Sequence, residues 1–200
     1  MNKYKAVGFD HTGVIVGIPA SKFHQKVSEV LQVGVEDFNK AFRHYNTAFN
    51  KGETTKEEFW KSILKELTRE SFYDEVMKVA EKPREINIDV INVIKELKNT
   101  GYKVGLLSND TREYALPIRA EEQLDRLFDV MCVTAETGLL KPNKDAFDDF
   151  MIKLSVLPNE LVYIDDSELI LTAAQEFGIS TILCTEPEDI RKQLQEKGVL

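Results

Sequence analysis

The sequence lacks the features that mark several protein classes. Only two cysteines occur, Cys132 and Cys184. Both stand at the ends of apolar runs and fit no metal-ligand spacing, so both are expected as buried core thiols. No run approaches the roughly 18 apolar residues of a membrane span. The first ten residues, MNKYKAVGFD, lack the extended apolar region and small-residue cleavage site of a secretory leader. A cytoplasmic protein with no membrane contact is expected. There is no strong basic cluster either. The net charge is −8 and the pI is near 5.1, a surface that repels phosphate backbones, so no nucleic-acid partner is expected. No internal repeat or low-complexity tract occurs. What remains is an ordinary globular composition, 42% hydrophobic and 30% charged over 200 residues. That length is enough for one substantial core and a small accessory module.

Five short apolar segments read as buried parallel strands: 6–9, 104–107, 130–133, 161–164 and 180–183. Each is too short for a stable helix, and most are bounded by polar or turn-forming residues. Amphipathic stretches separate the later ones. Val90, Val93, Ile94 and Leu97 form one apolar stripe; Phe147, Phe150, Met151 and Leu154 form a second; Ile170, Ala173, Ala174 and Phe177 form a third. Alternating strands and helices predict an α/β fold, a parallel sheet covered on both faces.

The first crossover is far longer than one strand–helix–strand unit requires. About ninety residues separate Asp10 from Lys103, whereas such a unit needs about thirty. The excess has helical periodicity around Phe23, Val27, Val30 and Leu31, then Phe38, Ala41, Phe42, Tyr45 and Phe49. It continues through Trp60, Ile63, Leu64 and Leu67 to Phe72, Val76 and Val79, punctuated by Gly34, Gly52 and Pro83. Residues 18–83 are expected as a helical insertion directly after the first strand. Ligand sites in open α/β sheets lie at the carboxyl ends of strands, so the insertion is placed to cover one.

Those carboxyl ends collect the chemistry. Asp10, His11, Thr12 and Gly13 follow the first strand; Ser108, Asn109 and Asp110 follow the second; Lys141 follows the third; Asp165 and Asp166 follow the fourth. Taken singly, each has a plain structural explanation. Asp10 is then a solvated strand end, Lys141 a surface lysine, and the Ser108–Asp110 and Asp165–Asp166 runs are helix caps. Together, three carboxylates in one cleft cannot all ionise without counter-charge. One lysine does not suffice, which implies a hard divalent cation such as Mg²⁺ on oxygen ligands. A metal and a lysine that offset phosphate charge, beside a carboxylate that attacks it, suit phosphoryl chemistry.

The ordered segments VGFDHTGVI, LLSND, GLLKPNKDAF and YIDDS are similar to the four motifs of the haloacid-dehalogenase superfamily, and the chain resembles that superfamily over nearly its full length. The resemblance implies a Rossmann-like core (residues 1–17 and 84–200) with a helical cap (18–83). It implies Asp10 as nucleophile of an aspartyl intermediate, with Ser108 and the Asn109 region bonding the transferring group. Lys141 would hold both nucleophile and phosphate. Asp10, Asp166 and the backbone carbonyl of Thr12 would ligate Mg²⁺, with Asp165 acting through water. The substrate would be a small phosphorylated molecule.

Two positions depart from the pattern. Position 12 usually carries the aspartate that protonates the leaving group, and losing a general acid costs about 10²–10⁴ in rate. Position 170, often Asn or Asp in the family, is Ile, which removes a polar support of the metal or lysine. Three functions therefore stand: a Mg²⁺-dependent phosphatase or phosphotransferase with weakened general-acid function, a catalytically impaired binding or regulatory protein, and a 2-haloacid dehalogenase. His11 is expected to point away from the phosphate, His24 and His44 to be structural or exposed, and Trp60 to be core.

Overall fold

Short runs with apolar side chains on both faces find a solvent-free setting inside a covered sheet; all five form strands, three of them almost wholly buried and two partly so. The strands are β1 (Ala6–Phe9), β2 (Lys103–Ser108), β3 (Val130–Val133), β4 (Leu161–Asp165) and β5 (Ser180–Leu183). The computed structural model describes residues 3–82, 84–110 and 126–200. Among them the strands form one sheet in the order β3-β2-β1-β4-β5, with every pairing parallel. The expected α/β architecture is present. β1 is central, and Phe9 lies opposite Leu106 on one side and Ile164 on the other. This register brings the carboxyl ends of β1, β2 and β4 together.

The period-2 alternation of strand side chains builds two cores. Val7, Phe9, Val104, Leu106, Val162 and Ile164 face one layer, which receives Val90, Val93, Ile94 and Leu97 from α5 (Ile88–Asn99) and Ile190 and Leu194 from α9 (Ile190–Glu196). Ala6, Leu107, Leu161 and Tyr163 face the other layer, covered by α7 (Lys144–Leu154) and α8 (Glu168–Glu176); one short helical turn, α6 (Thr134–Thr137), lies between β3 and α7. Phe150 is fully buried on that side. It fits because the paired residues Gly8 and Gly105 are bare: a Cβ on either would fall 2.7 Å or 2.6 Å from its ring. The expected stripe on α8 is displaced. Leu171 and Ala174 are the buried pair, while Ile170 and Phe177 are partly covered.

Between β1 and β2 run α1 (Ala20–Leu31), α2 (Val35–Asn50), α3 (Lys56–Glu66) and α4 (Tyr73–Ala80). Thr55 and Glu58 start α3 with a reciprocal capping box, each side chain serving the other's backbone N–H. The four helices enclose a separate apolar cluster including Leu31, Phe38, Trp60, Ile63 and Val76. Phe59, outside the expected stripe, is also buried, because it stacks on Phe49 of α2 at 4.5 Å between ring centroids. His24 is structural, against the Phe42 ring at 4.5 Å and bonded to Asn39 at 2.7 Å. His44 is exposed and paired with Glu66. Pro83 lies outside the described residues. No described helix is long and apolar enough to cross a membrane.

The two chain segments joining these helices to the sheet lie side by side. Gly17 N–H donates to the Glu85 carbonyl and Asn87 N–H to that of Ile15, both at 2.8 Å. The Asn87 side chain adds a 2.7 Å bond to the Val14 carbonyl.

Candidate active site

Asp10 leaves the end of β1 with its N–H on the Ile164 carbonyl at 2.8 Å, which sets its side chain beside the end of β4. Lys141, from the loop between β3 and α7, is buried, and its ammonium is fully engaged. It donates to Asp10 Oδ1 at 2.8 Å, to Asp165 Oδ2 at 2.8 Å and to the phenol oxygen of Tyr163 at 2.7 Å. The backbone of Lys141 is clasped by one side chain. Asn109 accepts its N–H at 2.8 Å and donates to its carbonyl at 2.9 Å. Asn109 therefore braces the lysine loop with both ends of its amide.

Asp10, Asp165 and Asp166 each offer a carboxylate oxygen within 4.8 Å of the others. Asp165 is completely buried, and its second oxygen accepts the Ser167 N–H at 2.9 Å. Asp166 accepts the N–H of Ala20, the first residue of α1, at 2.5 Å. Gly13 has φ 87°, and a Cβ there would fall 1.9 Å from Asp166 Oδ2. Only glycine satisfies both that backbone and that space. Burial pushes the Asp10 carboxyl up to about 6; Lys141 opposes this and Asp165 adds to it. Burial, followed by the charges of Asp165 and Asp10, also drives Asp166 well above the ordinary carboxylate range. The cleft thus carries more negative charge than its lysine neutralises. An all-oxygen donor set with that imbalance fits a hard divalent cation.

A second network lies beside the first, centred on Asp110. Its Oδ2 accepts from Ser108 Oγ at 2.8 Å and lies 2.6 Å from Nδ1 of the buried His11. Its Oδ1 accepts from Thr12 Oγ1 at 3.3 Å. Burial works to raise the Asp110 pKa, but the bond and charge of His11 and the bond from Ser108 outweigh it and hold the carboxyl below its usual range. Arg84, from the segment entering α5, donates to Thr12 Oγ1 at 2.7 Å. Ser108 thus directs its single proton to Asp110. His11 turns toward Asp110.

The haloacid dehalogenase-like hydrolase family model matches residues 4–178. The chain belongs to this family. Among curated proteins, this hydrolase is 25% identical over 128 residues to bifunctional epoxide hydrolase 2 of Rattus norvegicus, spanning 61% of the chain and 23% of that protein. It is 28% identical over 94 residues to (S)-2-haloacid dehalogenase 4A of Burkholderia cepacia, spanning 47% of the chain and 41% of that enzyme. The chain thus spans well under half the length of these relatives. Its fold is that of a HAD-like hydrolase of Porphyromonas gingivalis, with TM-score 0.67, 22% identity and 97% of both chains covered. A HAD family enzyme of Bacteroides thetaiotaomicron, solved with magnesium and inorganic phosphate, superposes with TM-score 0.58 at 21% identity over 90% of this chain and 93% of that one.

In this hydrolase the sequence-expected residues Asp10, Lys141, Asp165 and Asp166 meet in one shell, while Thr12, Ser108 and Asp110 form the adjoining network. Two contributors were missed. Tyr163 had a signal: it lies two residues before Asp165 on the same strand, and side chains two apart share a face. Arg84 had none, because 72 residues separate it from Thr12.

Proposed function

We propose that this protein is a Mg²⁺-dependent phosphatase or phosphotransferase that acts on a small phosphorylated metabolite through an aspartyl phosphate at Asp10. The observation that carries this reading is the Lys141 ammonium 2.8 Å from Asp10 Oδ1, with Asp165 and Asp166 in the same ligand shell. Lys141 holds Oδ1, leaving Oδ2 of Asp10 to attack phosphorus. The leaving group departs with the bridging electron pair, and water then cleaves the aspartyl phosphate. Mg²⁺ held by Asp10, Asp166 and the Thr12 carbonyl, with Asp165 behind it, would offset the charge of the phosphoryl oxygens. Residues 18–83 act as a cap over the cleft. Thr12 is a poor proton donor, which favours substrates with good leaving groups, such as aryl or acyl phosphates.

The test is p-nitrophenyl phosphate hydrolysis with Mg²⁺. Wild type is expected to turn over and Asp10→Asn to fall to background. A catalytically silent binding protein is the second reading, favoured by the Thr12 hydroxyl being tied to Arg84 and Asp110. Equal background rates for both proteins, with a Mg²⁺-dependent rise in melting temperature retained, select it.

A further inference from the structure

Lys141 has three ammonium protons, and protein atoms take all three. Two acceptors are carboxylates of the acidic cluster. The third, Tyr163 Oη, is a neutral oxygen at the bottom of the site, and the chemistry derived above does not use it. Its placement is unusually constrained. Tyr163 is fully buried, and its ring is held edge-on by Phe147 at 5.4 Å and 89° and by Phe150 at 6.3 Å and 75°. Its own proton is shared between the Leu107 carbonyl on β2, at 2.9 Å, and Asp165 Oδ2, at 3.0 Å. A ring locked by two phenylalanines cannot swing its oxygen away from the lysine. Phenylalanine would pack as well in this layer, so packing does not account for the hydroxyl.

We propose that Tyr163 is a positioning residue: its phenol takes the third N–H of Lys141 and thereby fixes the ammonium on Oδ1 of Asp10. The physical reason is donor satisfaction. A buried ammonium with one N–H unpartnered incurs a desolvation penalty and tilts toward whatever other acceptor it can reach, so its grip on the nucleophile becomes one of several poses. With the phenol in place, a single pose satisfies every donor. Lys141 then serves Asp10 directly, and a substrate oxygen gains an N–H from it only by displacing one of these three partners. The inference rests on the reading of Asp10 as nucleophile, and on the geometry around Lys141 independently of that reading.

Tyr163→Phe removes one oxygen and keeps the ring. With p-nitrophenyl phosphate and Mg²⁺, kcat is expected to fall about 10- to 100-fold, the span of one hydrogen bond to a charged group. KM should change less than about threefold, because Tyr163 does not reach the substrate. An unchanged kcat, or a loss confined to KM, overturns the proposal. A second readout needs no turnover. In protein labelled with ¹⁵N-lysine, the Lys141 ammonium, assigned with Lys141→Met, should give a slowly exchanging resonance in wild type and lose it in Tyr163→Phe. Absence of that resonance in wild type, or its persistence unchanged in the variant, refutes the positioning role. If wild type shows no Mg²⁺-dependent hydrolysis while Tyr163→Phe still abolishes the resonance, the phosphoryl-transfer reading fails and the positioning of Lys141 stands.

Discussion

Nζ of Lys141 lies 2.8 Å from Oδ1 of Asp10, across 131 residues of chain. That contact joins the loop after β3 to the end of the central strand and balances part of the charge in a buried acidic cluster. Removing the ammonium leaves Asp10 and Asp165 together without a counter-ion. Lys141→Met, similar in length and uncharged, should lose about 3–5 kcal/mol of stability in EDTA buffer, the usual cost of breaking a buried pair on one side. Urea unfolding measures it, and a loss under about 1 kcal/mol would mean that the carboxylates do not depend on the lysine.

Thr12→Asp places a carboxyl where Arg84 already donates at 2.7 Å and Asp110 stands 3.3 Å away. The guanidinium favours the new charge and Asp110 opposes it. Turnover of an alkyl phosphate should rise by at least about tenfold, toward the 10²–10⁴ typical of a general acid. Steady-state kinetics on a folded variant whose melting temperature still responds to Mg²⁺ decide the matter; no gain counts against weakened acid catalysis.

Gly105→Ala tests the slot that holds Phe150. The added methyl would fall 2.6 Å from two atoms of the Phe150 ring and 3.2 Å from Leu154, contacts that neighbouring side chains relieve only by moving. Overpacking of this kind costs about 1–3 kcal/mol. Thermal or urea unfolding should show it without loss of Mg²⁺ binding. A neutral effect would mean that Phe150 has room to shift.

Much of the sheet was legible because buried strands are short, apolar on both faces and terminated by polar residues. The residues 9 and 10, or 164 and 165, mark such a change from apolar to acidic, and the site lies at those changes. The stripe on α8 was harder to place. The run ELILTAAQEF has apolar residues on nearly every side, and Leu169 is exposed while Leu171 is buried. Periodicity alone does not orient such a helix; docking against β4 and β5 does. The partners of Ser108 and Asn109 were hard to read for a different reason. Whether a hydroxyl or amide faces a ligand depends on which other polar groups reach it first. Asp110 takes the Ser108 proton and the Lys141 backbone takes both ends of the Asn109 amide; the first partner stands within LLSND, the second 32 residues away.

The oxygen of Asp166 is walled by main chain, with the Ala20 amide on one side and the bare α-carbon of Gly13 on the other. A cradle made from backbone atoms is largely blind to which side chains its neighbours carry. A side-chain exchange next to it leaves those backbone walls in place, whereas at position 13 a single methyl group would evict the carboxylate.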